Sequence, residues 1–178
     1  MKTSKAILLV LILTISVVGI TYAYYTWSGK TVVSGLSECF NVNYLKGRDI
    51  TSNSLKLGTS PLDGISTTIE ASLSSSCTIT LGSGTLYLDI DTSTTDALLT
   101  SNALKYQLIV GNTIAKEGVL TTKGRNTLLE DIEVTEVSTP IIVIIWIDSS
   151  LVDSTNSTQI MSSTFSAKIN MEIESRRQ

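Results

Sequence analysis

Acidic residues come nearest to a catalytic or metal-binding pattern in this chain of 178 residues. Asp89 and Asp91 stand two positions apart with Asp96 close behind, and paired carboxylates can bind calcium or act as acid and base. A second acidic group consists of Asp131, Glu133 and Glu136. Alternating charges also keep the solvent face of a strand, or an edge or loop, soluble, and we favour this interpretation for both groups.

Several classes of site are excluded by composition. The chain contains no histidine, so it cannot form a Ser-His-Asp triad, a Cys-His pair or a His-containing zinc site. Gly82-Ser83-Gly84 resembles a phosphate-binding loop only in composition, since no lysine and no helix follow, and it predicts a turn between strands. A net charge of −3 gives no reason to expect nucleic acid as a partner. We predict a non-enzymatic protein with no catalytic residues, no cofactor and no bound metal.

The N-terminus has the pattern of a bacterial export signal. Lys2 and Lys5 precede the apolar run 6–20, and Thr21-Tyr22-Ala23 places small residues at the −3 and −1 positions of a signal-peptidase site. This pattern predicts a signal peptide over residues 1–23 that is cleaved between Ala23 and Tyr24. The loss of two lysines would take the net charge from −3 to −5.

An uncleaved membrane anchor is the alternative for the same segment. No charged residue occurs from Ala6 to Trp27, a stretch that would form about 33 Å of helix, enough to cross a bilayer. Either alternative places residues 28–178 outside the cytoplasm, in the extracellular space or on the surface of a Gram-positive-type bacterium.

The two cysteines, Cys39 and Cys77, form an even pair in a chain predicted to be exported. A disulfide between them is the default expectation outside the cytoplasm, and closing a loop of this length stabilises a fold by roughly 4 kcal/mol in the chain-entropy model. Two free, buried thiols are the alternative.

Alternation of apolar and polar residues predicts strands along the rest of the chain. The clearest case is Phe165–Ile173, and Gly111-Asn112 predicts a two-residue hairpin between two strands. The continuously apolar run 141–147 predicts a central strand covered on both faces, with Trp146 and Tyr106 in the core, and residues 95–101 predict a short helix with Asp96 near its start. Further alternating segments are 40–44, 69–73 and 86–90.

These elements predict an all-β domain over residues 37–178 with about eight to ten strands. Its fold class is an antiparallel two-sheet sandwich, jelly-roll-like or Greek-key, because one chain of this length with strands and few helices must close a core between two sheets. A hydrophobic signal or anchor helix over residues 1–23 and an extended segment over residues 24–36 precede the domain.

The segment Gly19-Ile20-Thr21-Tyr22-Ala23-Tyr24-Tyr25-Thr26-Trp27 resembles the export signal of the TasA/camelysin family, whose members are processed by a SipW-type signal peptidase. Two short motifs, 145–148 and 165–169, look like closing strands of small proteins with that signal. The resemblance implies a jelly-roll subunit of extracellular fibres or biofilm matrix that assembles by donating an N-terminal strand. In this chain Thr31, Val32 and Val33 would form the donor strand. The metalloprotease label of camelysin-like proteins does not transfer, because no histidine is present.

The predicted partners are therefore further copies of the chain or cell-surface proteins, with the membrane as a contact of the N-terminal segment before cleavage or without it. If residues 24–36 are only a tether, the alternative function is a membrane-tethered β-sandwich surface domain that binds an unknown ligand.

Overall fold

The computed structural model describes residues 39–52 and 55–175, except for the side chain of Ser52. The predicted signal peptide, the Ala23–Tyr24 cleavage site and the proposed donor residues Thr31, Val32 and Val33 lie outside the described residues. In the part of the chain that the structure describes, no helix is long and apolar enough to cross a membrane.

Strands dominate the described residues. They are β1 (Phe40–Tyr44), β2 (Asp49–Ser52), β3 (Leu57–Gly58), β4 (Ile65–Leu73), β5 (Gly82–Ile90), β6 (Leu104–Val110), β7 (Thr113–Val119), β8 (Gly124–Val134), β9 (Thr139–Asp148) and β10 (Phe165–Ser175). Two short helices, α1 (Asp96–Thr100) and α2 (Ser157–Met161), and two 3-10 turns, Pro61–Asp63 and Ser149–Leu151, complete the elements. The predicted helix near Asp96 is therefore present.

The strands form two sheets that pack as a sandwich, which confirms the predicted fold class. The larger sheet has the order β1-β4-β9-β6-β7, and the short β3 pairs in parallel with the end of β9. The smaller sheet has the order β2-β10-β5-β8, and its strands are antiparallel. Most connections cross from one sheet to the other, as in a jelly roll, whereas the β6–β7 hairpin stays within the larger sheet.

The core lies between the two sheets and follows the period-2 alternation of the strands. On β10 the inward side chains are at most 3% exposed, and on β9 the same holds for alternate residues. The inward residues of these two strands are Phe165, Ala167, Ile169, Met171, Ile173, Ile141, Val143, Ile145 and Ile147. Burying an isoleucine contributes roughly 1.5–3 kcal/mol, so this alternation fixes which face of each strand turns inward.

The apolar run 141–147 is a central strand, as predicted, but the prediction that both its faces are covered is wrong. β9 lies between β4 and β6, and its inward residues fill the core. The outward Ile142 and Ile144 are only half-buried. Trp146 is buried, with 6% exposed, yet it points outward and lies outside the main core cluster, whereas Tyr106 belongs to that core.

Gly82-Ser83-Gly84 is not the predicted turn, because it opens strand β5. A Cβ atom at Gly84 would lie 2.3 Å from Cε of Met171, and one at Gly82 would lie 2.9 Å from Cε1 of Phe40. Gly84 therefore leaves room for Met171 of the neighbouring strand, and Gly82 allows Phe40 of the larger sheet to approach closely, a requirement set by distant strands that local sequence does not reveal.

The predicted hairpin at Gly111-Asn112 is present and joins β6 to β7, with φ of +62° at Gly111. The predicted disulfide is also present: Cys39 and Cys77 are bonded, with Cα atoms 5.5 Å apart. Cys39 directly precedes β1, and Cys77 follows β4, so the bond fastens the start of an edge strand to the end of its neighbour.

Candidate functional site: the outer faces of the two sheets

The outer face of the smaller sheet carries polar and charged side chains, and we call it the polar face. These side chains alternate with buried ones such as Leu86 and Leu88, which is why they turn to solvent. The polar face comprises Ser83, Thr85, Tyr87 and Asp89 on β5, Lys168, Asn170, Glu172 and Glu174 on β10, and Arg125 and Thr127 on β8.

Arg125 lies on the edge strand β8, and its side chain reaches across β5 to Glu172 on β10. Its guanidinium carbon lies 4.5 Å from the centroid of the Tyr87 ring, a cation–π contact. Its Nη1 donates to Oε1 of Glu172 at 2.9 Å, and its Nε lies 3.4 Å from Oδ1 of Asp89. The hydrogen bond to Glu172, followed by its charge, raises the pKa of Arg125. The Tyr87 ring is thus covered by the protein's own cation.

The first acidic group does not converge on one site. Asp89 accepts a hydrogen bond from Nδ2 of Asn170, within the polar face. Asp91 lies after β5 and accepts from the Ser93 backbone N–H at 2.8 Å, a bond that lowers its pKa. Asp96 forms an ion pair of 2.7 Å with Lys123. The described residues contain no group of three or more side chains that could hold a metal ion.

The second acidic group follows the free edge of the smaller sheet. Asp131 and Glu133 lie on β8, and Glu136 lies in the loop beyond it. Asp131 has φ of +57° and accepts from Oγ of Ser83 at 3.2 Å. All three residues are exposed to solvent, at the edge and in the loop that the sequence predicts for them.

The outer face of the larger sheet is different in composition, and we call it the apolar face. Its first row crosses the five strand positions of the sheet, because the backbone N–H of Leu45, just after β1, donates to the Thr68 carbonyl at 3.0 Å. Leu45 and Ile114, at the two ends of the row, are 52% and 57% exposed. The row consists of Leu45, Thr68, Ile142, Ile109 and Ile114.

A second row on the apolar face has opposite charges at its ends. Lys46 reaches the face beside β4, with Nζ 3.5 Å from Oγ of Ser66. At the other end Glu117 on β7 accepts a hydrogen bond from Nε2 of Gln107. The row consists of Lys46, Ser66, Ile144, Gln107 and Glu117.

One ion pair closes the end of the apolar face near Trp146. Lys105, the register partner of Trp146, places Nζ 2.5 Å from Oδ2 of Asp148. Asp148 also accepts from the backbone N–H of Ser150 at 3.0 Å and from its Oγ at 2.6 Å. The bond from Lys105, followed by those from Ser150, lowers the pKa of Asp148 to about 2.

The larger sheet ends in an exposed edge at β7. Six of the seven residues of this strand are exposed, and it pairs only with β6 among the described strands. Sequence motifs did not predict the apolar face or this edge. Ile142 and Ile144 carried the signal, but a continuous apolar run does not reveal whether its second face has a cover within the same chain.

No family model matches the chain, and no curated protein matches it. Two solved structures are similar to it at a low level. One, a family two carbohydrate esterase from Cellvibrio japonicus, is 7% identical with a TM-score of 0.30. The match covers 78% of this chain and 34% of that one, so the chain spans about a third of the length of the esterase.

The second similar structure is TmCBM61 in complex with β-1,4-galactotriose. It is 9% identical, the match covers 77% of this chain and 88% of that one, and the TM-score is 0.32. Neither structure is a TasA-like protein, and likenesses of this size assign no function to the chain.

Proposed function

We propose that this protein is a non-enzymatic, exported protein of the cell surface or extracellular matrix that assembles into fibres. Each copy donates residues 24–36, with Thr31, Val32 and Val33 as the donated strand, to the next copy. The acceptor is the free edge of β7. The observation that carries this proposal is the exposure of β7 at the edge of the larger sheet opposite to β1.

The topology of the larger sheet supports a head-to-tail arrangement. The donor segment enters the sandwich at Cys39, next to β1, and β7 lies at the other edge of the same sheet. A donated strand beside β7 therefore extends the acceptor's sheet at the edge opposite the acceptor's β1. Such heterologous contacts produce open filaments when the rotation between successive copies does not close a ring.

The edge of β7 suits a defined donor better than the edge of β8 does. β8 has two register shifts, a left-handed residue at Asp131 and four charged residues, all of which hinder strand addition, whereas the pairing of β7 with β6 has one register shift. β7 carries Lys116 and Glu117, which limit indiscriminate pairing. The single charged residue of segment 24–36 is Lys30, opposite in sign to Glu117.

The disulfide supports a role under mechanical load. A pull on the N-terminal segment acts first on Cys39, at the start of the five-residue edge strand β1. Because Cys39 is bonded to Cys77, that pull passes to the chain beyond β4 and does not unzip β1 from its neighbour. A disulfide also suits an oxidising compartment outside the cytoplasm.

The proposal is tested on the exported protein with the double substitution Val32→Asp and Val33→Asp. Because an unpaired charge is costly in a strand interface, we expect fibres to disappear while the melting temperature of the sandwich stays unchanged. The matched control, Val32→Thr with Val33→Thr, keeps β-branched side chains without charge and should retain fibres. Electron microscopy and sedimentation velocity provide the measurement.

The acceptor edge is tested separately from the donor segment by adding a synthetic peptide of residues 24–36. The peptide should occupy β7 and shorten the fibres. Fibres that persist in the Asp variant would contradict strand donation. An absence of wild-type fibres, together with extraction only by detergent, would favour the membrane-tethered domain instead. A fall in melting temperature in the Asp variant would show that residues 32 and 33 belong to the sandwich of their own copy.

A further inference from the structure

We propose that the apolar face binds the apolar face of a second copy, with a two-fold axis running along β9. This inference deepens the proposed function, because it names a second partner surface for self-association. It rests on the side chains of the larger sheet and not on the donor segment.

The first row of the apolar face is self-complementary about β9. Ile142 stands at its centre, and Leu45 and Ile114 end it on opposite sides, each two strands away. With strands about 4.8 Å apart, each end lies about 10 Å from the centre. A two-fold rotation about β9 brings Leu45 of one copy over Ile114 of the other, twice, and joins the two most exposed apolar side chains of the row.

The second row adds charge complementarity in the same arrangement. Lys46 and Glu117 lie at opposite ends, with Ile144 at the centre. The rotation that superposes Leu45 on Ile114 also places Lys46 of each copy opposite Glu117 of the other. A two-fold axis perpendicular to the strands would instead keep the β1 side over the β1 side, so only the axis along β9 pairs these charges.

Within the two rows, the three central strands contain no charged side chain, so the rows bury no unpaired charge when two faces meet. The central residues of the rows are Ser66, Thr68, Gln107, Ile109, Ile142 and Ile144. Glu70 on β4 and Lys105 on β6 occupy the neighbouring outward positions beyond the rows, and Lys105 is paired with Asp148. Two sheets of this kind pack face to face within about 30° of alignment, as the layers of a sandwich do.

The size of the face indicates a weak dimer. Two rows on five strands span roughly 19 Å by roughly 14 Å, less than the about 800 Å² per partner of a stable complex. The contact is therefore concentration-dependent for isolated copies. Along a fibre, many such faces are linked, and the effective concentration of each second contact rises, so the same weak contact can join fibres side by side.

The test uses the exported protein with Val32→Asp and Val33→Asp, in which strand donation is blocked. Sedimentation equilibrium up to about 1 mM should detect a monomer–dimer equilibrium. Ile114→Glu should weaken dimerisation at least tenfold, because it places a carboxylate among apolar side chains. The matched control is Met161→Glu on α2, whose side chain is 60% exposed against 57% for Ile114, and it should leave dimerisation unchanged.

Charge reversal tests the orientation of the axis. Lys46→Glu and Glu117→Lys should each weaken the dimer severalfold, because each sets like charges opposite one another at two symmetric positions. The double variant should recover the original affinity. Failure of recovery, or equal effects of Ile114→Glu and Met161→Glu, would overturn the proposal.

The two proposals fail separately. A protein that stays monomeric at every concentration in the Asp background would overturn the face-to-face dimer, while wild-type fibres would still support strand donation. Dimers in the Asp background, together with an absence of wild-type fibres, would support the face-to-face dimer and contradict strand donation.

Discussion

The polar face and the apolar face arise from the same alternation of residues. They differ in how far their side chains find partners among the described residues. On the polar face Arg125 contacts Tyr87, Asp89 and Glu172, so ring, cation and carboxylates satisfy one another. On the apolar face Leu45 and Ile114 project into solvent without a cover among the described residues. Exposed apolar surface of this kind is typical of interaction sites, and this difference is the reason to propose self-association through the larger sheet.

The ion pairs of the two faces differ in the same sense. The side chains of Arg125 and Glu172 are 52% and 51% exposed, whereas those of Lys105 and Asp148 are 33% and 13% exposed. Exposed pairs contribute little to stability because water screens them. The shielded pair beside Trp146 is expected to matter more to the fold.

Removal of the disulfide should produce the largest change in stability. Cys39→Ser with Cys77→Ser frees β1, which supplies the Leu45 and Lys46 end of the apolar face. We expect the free energy of unfolding to fall by about 4 kcal/mol, from the loss of a constraint on the unfolded chain. Urea denaturation measures the change, and hydrogen exchange should rise more in β1 than the loss of global stability alone produces in β5 and β10. Equal loosening of both sheets would contradict the local role of the bond.

Thr67 and Thr68 are adjacent residues of the same type, one in the core and one on the apolar face, so substitutions at the two positions test these regions separately. Thr67 points inward, is 4% exposed, and its hydroxyl has no hydrogen-bond partner in the structure. Thr67→Val should therefore raise the free energy of unfolding by about 1–2 kcal/mol. Thr68→Val, on the apolar face, should change it by less than about 0.5 kcal/mol while strengthening dimerisation. A destabilised Thr67→Val variant would argue against an unsatisfied hydroxyl there.

Asp148→Asn should lower stability by about 1 kcal/mol at neutral pH, through loss of the shielded ion pair with Lys105. The pKa of Asp148 is about 2 in the folded protein against 3.8 for the unperturbed group, so its contribution is complete above pH of about 4. It is lost as the pH falls toward about 2. The wild type should thus lose its advantage over the Asn variant in this window, in thermal melts from pH 2 to 7. A constant difference across the window would contradict the assignment.

Arg125→Gln should have the smallest effect of these substitutions. Its partners Asp89 and Glu172 remain solvated after the change, and the raised pKa of Arg125 keeps the cation charged at every accessible pH. We expect a small decrease in melting temperature that disappears in about 1 M salt, with fibres and dimers unaffected. Loss of association in this variant would indicate that association depends on the polar face and not on the apolar face.

Sequence patterns predicted the elements better than their surroundings. The strict alternation of β10 and the Gly111-Asn112 turn are local signals, and both are present in the structure. The glycines that open β5 and the open outer face of β9 depend on strands far along the chain, so no local pattern could reveal them. The rows of the apolar face likewise follow from the register between β1, β4, β9, β6 and β7, which only the fold defines.

The most direct test of the central claim is hydrogen–deuterium exchange of the exported protein, compared at low and high concentration. If association uses the larger sheet, protection should increase with concentration in peptides covering residues 41–46 and 113–119. Peptides covering the polar face, residues 83–89 and 166–174, should exchange at the same rate at both concentrations. Concentration-dependent protection of β5, β8 or β10, with no change in β7, would contradict the account.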